Sequence, residues 1–141
     1  MEGDSSMRTQ LLAFGIITLM GCGSGKSSDA TLSVNATGVF LGTQTAVQDG
    51  IGQYSASLKV ILTQVGTSVT GTFENGAGGS GSVVGSITGT TLNLILNSPY
   101  PCTGSVVFTA QLNDNILSGS LMWPAMGSCG AGSATFSLNK Q

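Results

Sequence analysis

The chain has 141 residues, a length typical of one domain, which excludes a large multidomain enzyme. It carries 22 glycines, 19 serines and 16 threonines but only 7% charged residues, a composition poor for helices. Hydrophobic residues, at 40%, still suffice for a core. With a net charge of -2 and only four Lys and Arg residues, the chain lacks the basic surface that nucleic-acid binding requires.

The N-terminus carries an apolar run of ten residues, 11–20, which follows Arg8. A run this short cannot span a bilayer, for which about 20 apolar residues are needed. A basic residue followed by a short apolar run is typical of a secretion signal.

The residues Leu19-Met20-Gly21-Cys22 resemble the lipobox of bacterial lipoproteins. The resemblance implies cleavage between Gly21 and Cys22, a lipid on the Cys22 thiol and an acyl chain such as palmitate on the new amino terminus. It also implies a protein anchored in the bacterial envelope, at the outer membrane, facing the periplasm or the cell surface. Residues 1–21 are therefore predicted to be a lipoprotein signal peptide.

Two further short segments belong to this N-terminal region, one at the start of the chain and one that begins at Cys22. Residues 1–6 are interpreted as an extension that precedes the natural signal, with translation starting at Met7, because Glu2 and Asp4 are acidic where a basic start is expected. Residues 22–30 are rich in Gly and Ser and predict a flexible tether. They contain a sequence similar to a phosphate-binding loop, but Met20 stands where that motif needs a glycine, which argues against a nucleotide site.

Residues 31–141 show apolar and polar residues alternating with period two and no helical period, which predicts an all-β domain. We expect about eight antiparallel strands in simple succession, closing as an up-and-down barrel similar in shape to lipocalins and avidins. A β-sandwich is the alternative. The predicted strands are 32–41, a stretch around Tyr54, 58–63, 68–73, 82–88, 92–97, 106–112, 116–123 and 134–138.

The cysteines are three in number, and lipidation of Cys22 leaves Cys102 and Cys129 as a pair. A hairpin that turns at residues 113–115 places Cys129 two or three residues beyond the position opposite Cys102. We therefore predict a disulfide between Cys102 and Cys129, which suits an oxidising compartment. Two thiols with no histidine and no nearby carboxylate supply too few ligands for zinc.

Enzyme chemistry is not expected from this sequence, and no metal or other cofactor is predicted. Without histidine, no serine has the usual base, and Lys59 alternates with apolar neighbours and is expected to face solvent. The carboxylates available to a glycosidase lie in tether or loop contexts: Asp29, Asp49, Glu74 and Asp114.

Two aromatic residues are candidate contacts for a ligand or partner. Trp123 shares the predicted inward face of its strand with Leu121, which favours a core position over a stacking surface. Tyr100 stands between Pro99 and Pro101 in a predicted loop beside Cys102, where the prolines would hold it rigidly.

Three functional hypotheses remain. The first is an envelope lipoprotein with a structural or protein-interaction role. The second is a carrier of a small neutral apolar ligand, because the predicted inward face mixes bulky side chains with small residues and lacks charge. The third is an inhibitor of a wall-degrading enzyme, a role of some small disulfide-bonded barrel lipoproteins. A filled interior favours the first hypothesis and an apolar cavity favours the second. The small residues of the predicted inward face, on which the second hypothesis depends, are Gly71, Gly85, Gly89, Ala110 and Gly119.

Overall fold

The computed structural model describes residues 34–100 and 102–141, with Tyr100 described by its backbone only. In this part of the chain eight β-strands follow one another. They are β1 (Gly38–Gln48), β2 (Gly52–Val65), β3 (Ser68–Asn75), β4 (Ser80–Thr88), β5 (Thr91–Tyr100), β6 (Gly104–Asn113), β7 (Ile116–Trp123) and β8 (Gly132–Lys140).

The strands form one closed barrel in which each strand pairs antiparallel with its sequence neighbours and β1 pairs with β8. This confirms the predicted up-and-down barrel and excludes the sandwich. Closure pairs the strands that would otherwise be edges of the sheet. Within the described residues, no helix is long and apolar enough to span a membrane.

Strand β1 differs from its prediction, since it begins at Gly38 and continues to Gln48 instead of covering 32–41. Its second half was missed because Gln44, Ala46 and Gln48, which are buried inside the barrel, are polar or small. Inward residues of that kind leave no contrast between apolar and polar positions.

The predicted β6–β7 hairpin is confirmed in its register. Leu112 pairs with Leu117 and Thr109 with Ser120, as the turn at 113–115 requires. Asp114 adopts a φ of 56°, a left-handed conformation that Asp and Asn tolerate better than other side chains. Gly89 corrects a prediction, because it lies in the β4–β5 turn with a φ of 61° and not on an inward strand face.

The barrel has two different ends. The closed end carries the short connections 66–67, 89–90 and 114–115 together with residues 34–37, which precede β1. The open end carries the connections 49–51, 76–79, 101–103 and 124–131. The two ends separate because consecutive strands of an up-and-down barrel alternate in direction.

The interior near the closed end is filled by large apolar side chains. Residues 34–37 cover it: Ala36 is fully buried, and its backbone N–H donates to Oε1 of Gln64 at 2.7 Å. The Lys140 ammonium donates to the Asn35 carbonyl at 2.9 Å. Complete burial of this many large side chains makes this half the most completely buried part of the hydrophobic core, which continues into the other half. The fully buried side chains here are Phe40, Leu62, Val69, Ile87, Leu92, Leu112, Leu117 and Leu138.

Candidate functional site

A cavity of about 120 Å³ occupies the half of the barrel towards the open end. Aliphatic residues of six strands line it, among them Leu58, Val83, Leu94 and Val106. The interior is thus filled at one end and hollow at the other. That difference places the candidate site among the residues between the strand centres and the open-end connections.

Aromatic residues are concentrated around this cavity. In the described part of the chain six aromatic side chains are placed, and five of them line the cavity. Phe108 and Phe136 pack edge to face with their ring centroids 6.0 Å apart. Because aromatic rings offer flat, polarisable surfaces, this lining suits a small ring or a short apolar chain. The five are Tyr54, Phe73, Phe108, Trp123 and Phe136.

Trp123 lies on the inward face of β7, as its alternation with Leu121 indicates, but it is only partly buried. Its indole N–H donates to the Gly130 carbonyl at 3.0 Å, and its ring lines the cavity. Trp123 therefore forms part of the cavity wall beside the open-end connection 124–131. Its environment lies between the predicted core position and an exposed stacking surface.

Tyr100 corrects its prediction, because its backbone is the last residue of β5 and pairs with Ser80, so that it does not lie in a loop. Pairing with β4 extends past Pro99, and a register shift between Ser80 and Ser82 accommodates this irregular strand end. The side chain of Tyr100 lies outside the described part of the structure, and so does the lipid-bearing candidate Cys22.

Polar side chains also face the cavity, and the sequence pattern did not reveal them. Gln44, Gln48 and Ser98 are each at least nine-tenths buried and line the cavity. Gln48 accepts a hydrogen bond from the Tyr54 hydroxyl at 3.5 Å, a long contact. Asn75 also borders the cavity, and its side-chain oxygen Oδ1 accepts from the backbone N–H groups of residues 77 and 79.

Gln44 stands apart from these neighbours. Its side chain is 8% exposed, and no described residue makes a hydrogen bond to its amide. Gln44 sits in the middle of β1, paired with Ala56 on one side and with Phe136 on the other. A buried amide without a partner is costly in free energy. Because Gln44 lines the cavity, its amide is available to a molecule bound there.

Charged side chains do not line the cavity in the described part of the chain. Lys59 and Glu74 are cross-strand partners on the outer surface, with Nζ 3.3 Å from the carboxylate. Glu74 was predicted in a loop but lies in β3. Among the described residues, no three His, Cys, Asp or Glu side chains lie close enough to hold a metal ion.

A disulfide joins Cys102 to Cys129 with their Cα atoms 5.2 Å apart, which confirms the predicted pairing. It links the β5–β6 connection to the β7–β8 connection at the open end, opposite the Asp114 turn. Cys102 also borders the cavity. The bond therefore fixes two of the four connections around the cavity.

The connection 124–131 packs against the open end. Met126 is buried, lines the cavity and exchanges two backbone hydrogen bonds with Cys129, both at 2.9 Å. At the far end of the same connection, the Asp49 N–H donates to the Ala131 carbonyl at 2.9 Å. These contacts hold the longest open-end connection over one side of the cavity.

The outer surface is rich in Ser and Thr but carries one short apolar row. Val84, Ile95 and Val107 are direct cross-strand partners on β4, β5 and β6, and all three side chains are exposed. Val107 is the most exposed of the three, at 74%. Cross-strand neighbours of this kind lie close enough to form a continuous strip.

Comparison of the chain with protein-family models, with curated proteins and with solved structures finds no match. The chemistry of the site therefore has to be argued from its own residues.

Proposed function

We propose that this barrel binds a small, neutral, apolar ligand in the cavity near its open end. The observation that carries the proposal is the cavity itself, about 120 Å³ in volume and walled by five aromatic and several aliphatic side chains. A barrel built only as a platform gains stability when its interior is filled, as it is at the closed end. An unfilled apolar space, by contrast, forfeits packing contacts that a ligand restores.

The volume limits the size of the ligand. An engineered apolar cavity of roughly 150 Å³ accommodates benzene, so a cavity of this size accepts about one ring or a short branched chain. Larger lipids would need the connections at the open end to move. The absence of charged lining residues in the described part of the chain supports a neutral ligand, because burying an unpaired ion costs several kcal/mol.

Anchoring in the envelope is the second part of the proposal, and the sequence supports it. If Cys22 carries a lipid, residues 22–33 connect the membrane to Val34, which lies at the closed end beside the Gly89 carbonyl. The tether then joins the barrel at the end opposite the cavity. Replacing Cys22 with Ser is expected to release soluble protein or to leave an unprocessed precursor. Unchanged detergent partitioning and unchanged mature mass would contradict it.

Toluene is a suitable probe for the cavity, because it is uncharged and has the size of a single ring. We expect the folded barrel to bind toluene, measured by saturation-transfer NMR and by a rise in the unfolding temperature with ligand concentration. Ala134 is buried on the cavity wall, so Ala134→Leu fills part of the space and is expected to weaken toluene binding at least tenfold.

The matched control is Thr135→Leu, since Thr135 is the next residue of β8 and its side chain is exposed on the outer surface. This variant adds a similar apolar side chain without entering the cavity and should leave toluene binding unchanged. Val83→Phe, from another cavity-lining strand, guards against misfolding of a single variant. Equal binding by wild type and both filled variants, with folding intact, would show that toluene binds elsewhere.

A structural or protein-interaction role in the envelope is the second candidate, favoured by the outer row of Val84, Ile95 and Val107. In this role a protein of the envelope covers the row. A photo-crosslinking residue at Thr109 should then yield a discrete crosslinked product in cells, lost in Val107→Thr. No product in cells that retain the anchored protein would contradict it. Inhibition of a wall-degrading enzyme stays a prediction that no described contact addresses.

A further inference from the structure

We propose that Gln44 is the specificity-determining residue of the cavity, selecting ligands that carry one neutral hydrogen-bonding group, a hydroxyl or a carbonyl, on an apolar body. This inference rests on the proposed function, and it adds the chemical class of the ligand. The proposed ligand thus carries a single polar group on an otherwise apolar molecule. In this it differs from a pure hydrocarbon.

The first support is the state of the Gln44 amide. Gln44 is only 8% exposed, and it lines the cavity. Within residues 34–100 and 102–141, no group makes a hydrogen bond to it. Most buried side-chain amides have a partner, because an unmade hydrogen bond leaves the full cost of desolvation. A molecule bound in the cavity can supply the partner that the amide lacks.

The second support is the contrast with the other polar groups of the cavity. Gln48 has the same 8% exposure but already accepts a hydrogen bond from Tyr54. The Asn75 oxygen is occupied by two backbone N–H groups, and Ser98 also has a partner. Among these four side chains, Gln44 alone has no hydrogen-bond partner within the described residues, so both its amide oxygen and its amide nitrogen can bond to a molecule in the cavity.

The amide also limits the charge of the ligand. It presents an N–H₂ donor and a C=O acceptor, so it can pair with a hydroxyl, which donates and accepts, or with a carbonyl, which accepts. A carboxylate ligand would need a cation, and the lining of the cavity contains neither lysine nor arginine among the described residues. The position of Gln44, paired with Phe136 on β8, places this polar group beside an aromatic wall.

The test compares probes that differ in one group. Phenol and toluene have the same number of non-hydrogen atoms but differ in a hydroxyl, and benzamide and benzoate have similar shapes but differ in charge. Affinities for wild type, Gln44→Leu and the matched control Gln53→Leu, the same change at an exposed residue of β2 that does not line the cavity, are measured by calorimetry or ligand-observed NMR. We expect the preference for phenol over toluene to fall about three- to tenfold in Gln44→Leu, the loss of one hydrogen bond. It should change less than twofold in Gln53→Leu.

Each outcome decides between the two proposals. If both probes bind wild type and Gln44→Leu leaves their ratio unchanged, or if both variants change it equally, the role of Gln44 is wrong and the apolar cavity site stands. Benzoate binding as tightly as benzamide would refute the neutral class. If neither phenol nor toluene binds wild-type protein, the proposed function fails as well. A selective change in Gln44→Leu together with rejection of benzoate supports the inference.

Discussion

The two halves of the barrel are built from the same eight strands, but the interior of one half is filled by side chains and the interior of the other contains a cavity. Near the closed end, inward positions such as Phe40, Ile87 and Leu138 are fully buried and fill the space. Near the open end, the same strands present Gln44, Ala134 and buried or half-buried aromatic rings around a cavity. The closed half therefore holds most of the large side chains that are completely buried, and the open half contains the cavity.

This division also explains where the covalent crosslink lies. The closed half is held by packing and by residues 34–37, so it gains little from a disulfide. The open half encloses unfilled volume and has longer connections, and the Cys102–Cys129 bond lies there. Around a cavity, fewer packing contacts are available to order the open-end connections. The disulfide supplies a covalent constraint on two of these connections.

The largest expected effect comes from truncating equivalent leucines in the two halves. Leu138 is fully buried at the closed end, and Leu138→Ala should lower the free energy of unfolding by about 3 to 4 kcal/mol. Leu121 is half-buried on the cavity wall, and Leu121→Ala should cost only about 1 kcal/mol because less area leaves water on folding. Urea unfolding of both variants measures the difference. Equal losses would mean that the two halves contribute equally to stability.

Removal of the disulfide is expected to have the next largest effect. The bond closes a loop with a sequence separation of 27 residues. The Cys102→Ala, Cys129→Ala double variant should therefore lose about 3 kcal/mol of unfolding free energy, because the unfolded chain gains conformational entropy without the bond. Hydrogen exchange locates the change within the folded state. Exchange should accelerate more at the Asp49 and Met126 amides of the open end than at Leu112, whose N–H bonds to Thr90 at the closed end and whose exchange should reflect only the loss of global stability. Uniform acceleration throughout the barrel would argue against a local role.

Replacement of the unpaired amide should stabilise the protein without ligand. Gln44→Leu removes a buried polar group that has no partner and should raise the free energy of unfolding by about 1 to 2 kcal/mol. Gln48→Leu loses a contact with Tyr54, so its gain should be smaller. Thermal and urea unfolding of ligand-free protein report both values. A loss of stability in Gln44→Leu would show that the amide is already satisfied in the free barrel.

The same division between halves determines what the sequence could predict. Strands with large inward residues, such as 58–62 of β2 and 106–112 of β6, were predicted because their alternation is visible. The second half of β1 was missed where Gln44 and Gln48 point inward, and these are two of the polar groups of the candidate site. The cavity itself depends on how side chains from all strands fit together, which no single strand pattern contains.

The smallest expected effect tests whether the difference between the halves is confined to the interior. Lys59 and Glu74 form an ion pair on the outer surface, with side chains 44% and 64% exposed. Exposed pairs of this kind contribute under about 1 kcal/mol, since water screens the charges and the side chains lose rotamer freedom. Glu74→Gln should thus change the free energy of unfolding by less than this amount and leave toluene binding unchanged. High salt should reduce the already small difference between wild type and variant. A marked loss of toluene binding in Glu74→Gln would show that the outer face of β2 and β3 helps to maintain the cavity.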